Sequence, residues 1–195
     1  MQETRPAGSA RERLLAAALE LFAEHGVSGT SLQMIADRLG VTKAAVYHQF
    51  PSKEEIVTAV IDPALERLTA IADGAEAQRS RAARQHAALA GIVDLVVDYR
   101  QVAAVLSFDP VVAQLARRHP AIHTLLRLRG LLAGPDPDVA TSVNLAMISG
   151  GLMMAGTDPA LVGLDDDTLR HELMASAARA LRIRGPQRRV RAAAG

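Results

Sequence analysis

Cysteine and tryptophan are absent from this chain of 195 residues, and the aromatic set is three phenylalanines and two tyrosines. Without cysteine there is no disulfide framework, no thiol nucleophile and no thiolate zinc site. With so few aromatic and β-branched residues and so much alanine and leucine, the composition favours helices over sheets. Long hydrophobic runs are missing too. The most apolar stretch, residues 143–155, contains Asn144 and is shorter than the roughly 20 residues a membrane span needs. The first 13 residues lack the basic-then-apolar order of a secretory signal, so the expectation is a soluble cytoplasmic protein with no membrane partner. Catalytic signatures are equally scarce. Gly150 and Gly151 follow no strand, so they form no dinucleotide fingerprint, and no P-loop or nucleophile elbow is present. His119 and His123 have a metal-compatible spacing, but Pro120 between them marks a helix start and separates the two rings. No enzyme, metal site or cofactor is expected.

Positive charge is unevenly placed. The formal net charge is +1, yet Arg179, Arg182, Arg184, Arg188, Arg189 and Arg191 lie in an acid-free C-terminal stretch; without those six the balance is 16 basic against 21 acidic. A whole-surface attraction for nucleic acid is therefore excluded. Only two lysines occur, Lys43 and Lys53, and both fall in Thr30–Lys53, where Arg38, Lys43 and Lys53 face a single acid, Asp37. That stretch is a local basic patch.

Local signals divide the N-terminal part into short helices. Ser9 and Glu12 form a capping-box pattern that opens a helix to about Glu24, with Leu14, Ala18, Leu21 and Phe22 on one face and Gly26 at its end. Ser31 caps a second helix through Arg38, with Met34, Ile35 and Leu39 facing inward. Gly40 makes a turn, and Thr42 caps a third helix, Lys43–His48. Ser52 and Glu55 form a second capping box at the start of a fourth. Two short helices joined by a glycine turn are the layout of a helix-turn-helix, whose second helix enters the DNA major groove. Val41, Val46 and Phe50 are expected to pack inward, leaving Thr42, Lys43, Ala44, Ala45, Tyr47 and His48 outside. Lys43 at the helix start suits a base edge or a phosphate. Ala44 and Ala45 allow close approach, while Thr42, Tyr47 and Lys53 suit phosphates, and Gln33 suits a base or the backbone.

The segment resembles the DNA-binding domain of the TetR-type (TetR/AcrR) transcription regulators. The matching patterns are A-L-E-L-F-x-E-x-G over Ala18–Gly26, T-S-x-x-x-I-A-D-x-L-G-V over Thr30–Val41, and T-K-A-A-V-Y-x-x-F-x-S-K-E-E over Thr42–Glu55. The resemblance implies that DNA contacts come from among Ser31, Gln33, Thr42, Lys43, Ala44, Tyr47, His48 and Lys53. One departure is Gln49, which stands where the family often has a histidine, with His48 one place earlier.

Beyond Lys53 the chain reads as a helical body. Helices are expected from about Lys53 to Asp73 with a bend at Pro63, and over Arg79–Ser107, a short one from Asp109 to Arg118, then Ala121–Leu132, Val139–Met154 and Thr168–Arg184. Small residues line the last two long helices: Ala140, Ser142, Ala146, Ser149, Gly150 and Gly151 on one, and Ala175, Ala177, Ala178 and Ala180 on the other. Small faces permit close helix approach, which fits a four-helix dimer interface; the resemblance implies the same. It also implies a pocket for an apolar small molecule, with Tyr99, Phe108, His123, Met147 and Met154 as candidate lining residues. The expectation is an all-α protein in three parts: a three-helix DNA-binding head (9–52), a ligand-binding and dimerisation body (53–184) and a basic tail (185–195). Its expected role is a ligand-responsive homodimeric regulator, a repressor released from a palindromic double-stranded operator by a small molecule. The competing reading is a helical protein–protein adaptor without sequence-specific DNA binding.

Overall fold

The structure, a computed structural model, describes residues 9–100, 102–103, 109–155 and 158–183. Among them are nine helices and no strand: α1 Ala10–Gly29, α2 Leu32–Leu39, α3 Lys43–Gln49, α4 Lys53–Glu76, α5 Arg81–Asp98, α6 Pro110–Arg118, α7 Ile122–Ala133, α8 Val139–Ala155 and α9 Asp166–Ala180. Phe108 and the tail beyond Ile183 lie outside the described residues.

Local side-chain chemistry sets most helix starts. Ser9 and Glu12 form the complete capping box of α1: the Ser9 hydroxyl accepts from Glu12 N, and the Glu12 carboxylate accepts from Ser9 N. Ser31, Thr42 and Asp165 cap α2, α3 and α9 by accepting from Met34 N, Ala45 N and Thr168 N. At α4 the Ser52 hydroxyl accepts from Glu55 N at 3.2 Å. Each cap satisfies an amide that has no partner within its own helix, worth about 1 kcal/mol. Helix ends depend more on backbone geometry. Gly40 closes α2 in the left-handed region, φ 66° and ψ 31°, where a Cβ would be strained. α9 stops at Ala180, four residues before the sequence-based end, because Arg182 turns left-handed at φ 54°. There Ile183 N returns to Ala178 O, closing the last turn. α4 runs through Pro63 to Glu76, three residues beyond the expected end.

The chain forms two compact units: one up to Glu66 together with Tyr99–Ile122, the other Arg67–Asp98 together with the chain from His123 on. The sequence-based boundary at Lys53 falls elsewhere because α4 and α6 share the head's core. In the first unit Leu14, Leu21, Phe22, Ile35, Val46 and Phe50 from α1–α3 pack with Ile56, Val57 and Ile61 of α4 and Val112 of α6. Burying a side chain of this size contributes about 1.5–3 kcal/mol. The periodicity reading of α1 holds in full, since Leu14, Ala18, Leu21 and Phe22 are all buried.

In the second unit α9 packs chiefly on α5 and also on α8. Leu89, Val93, Leu145, Leu152, Leu169 and Ala177 are among its buried residues. Arg170 of α9 ties the first pair together through Asp94 at 2.8 Å and Asp98 at 3.1 Å of α5. Arg127 of α7 reaches Glu76 with two bonds, 3.0 and 2.7 Å, and Asp73 at 2.6 Å, both on α4. These bonds hold Glu76 below its ordinary value of 4.5, the Arg127 hydrogen bond being the main cause, and push the guanidinium higher still.

Candidate nucleic-acid interface

α3 is one helix of seven residues with two contrasting faces. Val46 is fully buried and Phe50, its C-cap, is 2% exposed, which seats the helix on α1 and α2. Lys43, Ala44, Tyr47 and His48 are exposed, and their spacing places them on the opposite side. Thr42, just before the helix, is exposed as well. Its oxygen accepts from Ala45 N at 3.2 Å, which leaves the hydroxyl proton to donate outward. Ser31 at the start of α2 is in the same position, accepting from Met34 N at 3.2 Å.

Val41 departs from expectation. It is 45% exposed rather than packed inward. Its backbone N–H donates to Ala36 O at 3.0 Å as part of the α2 cap. With the backbone turned in by that bond, the side chain faces out beside Ala45 and Gln49, where it helps line a shallow groove.

The basic patch also differs from its reading in the sequence. Arg38 is bound to α1, with Nη1 on Glu20 at 3.1 Å and Nη2 on Glu24 at 2.8 Å. The Arg38 hydrogen bond lowers the Glu24 pKa. Lys53 does not point away as a phosphate ligand would. Its Nζ donates to Val27 O at 2.7 Å, Thr30 O at 3.0 Å and Ser28 O at 3.4 Å. Lys43 alone of the three stands on the exposed face, its Nζ 5.6 Å from the centre of the Tyr47 ring. That placement is a cation–π contact that holds the ammonium above α3. Gln33 donates to Asp37 Oδ1 at 2.7 Å along α2, so its amide oxygen is the group left to accept. A second cation–π pair has no signal in the sequence spacing: Arg11 lies 4.3 Å over the Phe50 ring.

The four described candidate ligand residues are divided between the two units. Tyr99 falls in the first compact unit and His123, Met147 and Met154 in the second. Met147 is 69% exposed, and Met154 and His123 are exposed too. A cavity of about 530 Å³ lies instead between α5 and α9, lined by His86, Ala90, Val93, Asp94, Arg170 and Met174 among others. Its volume falls in the range of small-molecule sites, but none of the four described candidates, Tyr99, His123, Met147 and Met154, lines it. His119 is engaged locally: its Nδ1 accepts from Ala121 N at 3.1 Å, and Nε2 lies 3.5 Å from Asp62.

The small faces of the last two helices have different fates. Ala140, Ala146, Ser149, Gly150 and Gly151 of α8 are exposed, whereas Ala177 of α9 is buried and Ala175, Ala178 and Ala180 are half-buried within the protomer. Large apolar side chains share the open side of α8: Val139, Val143, Met147 and Met154.

Comparison with known proteins places these features. Residues 14–60 match the profile of the family described as bacterial regulatory proteins, tetR family. The HTH-type transcriptional regulator SrpR of Pseudomonas putida is 47% identical over 51 residues, 26% of this chain and 24% of SrpR. Across SrpR, RutR, TtgW and KstR2 the chain spans between 24% and 38% of the relative's length. Solved structures agree over far more of the chain. SCO3833 of Streptomyces coelicolor A3, a TetR-family member, superposes with a TM-score of 0.68 at 20% identity, covering 93% of each chain. The ketosteroid transcriptional regulator KstR2 of Mycobacterium tuberculosis gives 0.62 at 22% identity, covering 90% of this chain and 95% of that one.

Proposed function

On the premise of a TetR-family head and the fold of TetR-type regulators along the described chain, we propose that this protein is a homodimeric transcription repressor. It reads a palindromic operator and is released from it by a small apolar ligand. The observation that carries the reading is α3: buried on one side through Val46, it presents Lys43, Ala44, Tyr47 and His48 on the other. Two small residues, a cation at the helix start and a phenol suit a helix lying in a major groove. Thr42 and Ser31 add hydroxyl donors at two helix starts, where backbone amides also favour a phosphate. Gln33 offers its amide oxygen beside them.

The dimer is supported by α8. Val139, Val143, Met147 and Met154 follow helical spacing on a face exposed among the described residues, next to Ala146, Gly150 and Gly151. A large apolar surface with a small-residue strip fits a second copy of the same helix better than water. Two copies then present two α3 helices to successive half-sites. For a ligand to weaken operator binding about 100-fold, the coupling between its site and the head must be about 2.7 kcal/mol.

Selection of bound duplexes from a random library tests the reading, with Tyr47→Ala run beside the wild type. Enrichment of a two-fold palindrome by the wild type, weakened in the variant, supports head and dimer together. A folded dimer that enriches nothing, with no salt-dependent DNA binding, favours the adaptor reading instead.

A further inference from the structure

We propose that Lys53 and Asp109 are positioning residues for DNA reading, gripping Val27 from its two backbone groups and so fixing the turn between α1 and α2. The proposal rests on the DNA-binding reading of α3. Gly26 departs from the helix at φ 70° and ψ 163°, which frees the next amide from the ladder of α1. That amide, Val27 N, donates to Asp109 Oδ2 at 3.2 Å. The other oxygen of Asp109 accepts from Val111 N at 2.8 Å, at the start of α6. On the opposite side, Val27 O accepts from Lys53 Nζ at 2.7 Å, and the same ammonium takes Thr30 O at 3.0 Å and Ser28 O at 3.4 Å. Thr30 completes the turn, its buried hydroxyl lying 2.8 Å from Gly26 O and 3.1 Å from Leu21 O.

Donor arithmetic separates this role from a phosphate contact. An ammonium has three protons, and Lys53 has three carbonyl partners. The carbonyls belong to the end of α1, where backbone dipoles favour a cation. Lys53 opens α4 just after α3, and Thr30 directly precedes the cap of α2. The ammonium therefore joins the two ends of the helix-turn-helix, and its loss loosens the placement of α3 without removing a group that touches DNA. Asp109 holds the same residue through its amide.

The test uses the full-length protein and a duplex selected by the wild type, titrated across salt concentrations. Lys53→Met keeps the stem and removes the ammonium. Asp109→Asn keeps the α6 cap through its amide oxygen but turns a donor toward Val27 N. Each variant is expected to bind about 10-fold more weakly, the equivalent of one charge-assisted hydrogen bond, with the wild-type slope of log K against log salt. The sign is informative for Asp109, since deleting a negative charge strengthens DNA binding on electrostatic grounds alone. The proposal is overturned if Lys53→Met lowers the slope by about 0.9, the signature of one lost phosphate contact, while Asp109→Asn binds as well as wild type or better. Thermal unfolding of both variants and the double variant gives a second reading, independent of DNA. Losses that are non-additive support a shared clamp, and additive losses overturn it. If the wild type selects no duplex, the functional reading fails and this cycle still decides the clamp.

Discussion

In the proposed DNA-reading role, Lys43 is the residue on which base recognition is expected to turn. Of the three basic side chains in Thr30–Lys53, Arg38 is bound to Glu20 and Glu24 and Lys53 to backbone carbonyls, while Lys43 lies over the Tyr47 ring on the exposed face. A cation at the first residue of α3 suits a base edge, with guanine O6 and N7 as its best acceptors. Lys43→Ala is expected to weaken binding to a selected operator by about 1–3 kcal/mol and to relax base preference at one position of each half-site. Repeating the selection with the variant checks this. A uniform loss across all sequences would instead assign Lys43 to the phosphate backbone. Exposure of Lys43, Ala44, Tyr47 and His48 was readable from helical spacing around Val46. The partners of Arg38 and Lys53 were not, because charge counting along a chain is blind to which cations the fold consumes. Asp109 was further out of reach: it bonds an amide 82 residues away, and that amide is free only because of the backbone angle at Gly26.

Among the elements, helix starts were legible and helix ends less so. Ser9, Ser31, Thr42 and Ser52 cap where their side-chain chemistry says they should, because a cap is satisfied within three residues. The end of α9 depends on the angle at Arg182, which no residue type announces. Val41 misled because apolar character suggests burial, whereas its place is set by the cap around Gly40. Gly40→Ala tests that cap. A left-handed alanine costs about 1–2 kcal/mol, and a smaller loss of stability in chemical denaturation would mean the turn relaxes freely.

Acid pH tests a second link between elements, the one joining α7 to α4. The Arg127 bonds lower the folded-state pKa of Glu76 below 4.5. A depressed carboxylate contributes stability that is present above its unfolded value and lost as pH falls through the folded one. The wild type is therefore expected to lose stability below about pH 4.5, and Glu76→Gln to shrink that loss while lowering the melting temperature slightly at pH 7. The effect at pH 7 should be small because the pair is solvent-exposed. Identical acid limbs in the two proteins would show that the bridge adds nothing.

At the scale of the whole molecule the exposed face of α8 bears on the proposed homodimer. Sequence pattern alone assigned both of the last helices to an interface through their small residues. The structure splits them, since Ala177 is buried within its own protomer. The more exposed apolar surface among the described residues is the α8 stripe of Val139, Val143, Met147 and Met154. Met147, more than two-thirds exposed, sits near the middle of the helix, so in a symmetric pair it meets the same helix of the partner. Met147→Asp places an unpaired charge at that contact. The cost of burying it is several kcal/mol, and a loss of only about 2.7 kcal/mol weakens association 100-fold. Sedimentation at micromolar concentration should then show a wild-type dimer and a folded monomeric variant. Binding of the variant to a palindromic duplex should fall together with dimerisation, while affinity for a single half-site stays as it was. A variant that remains dimeric with unchanged operator binding would move the interface away from α8, and with it the spacing at which two α3 helices meet the groove.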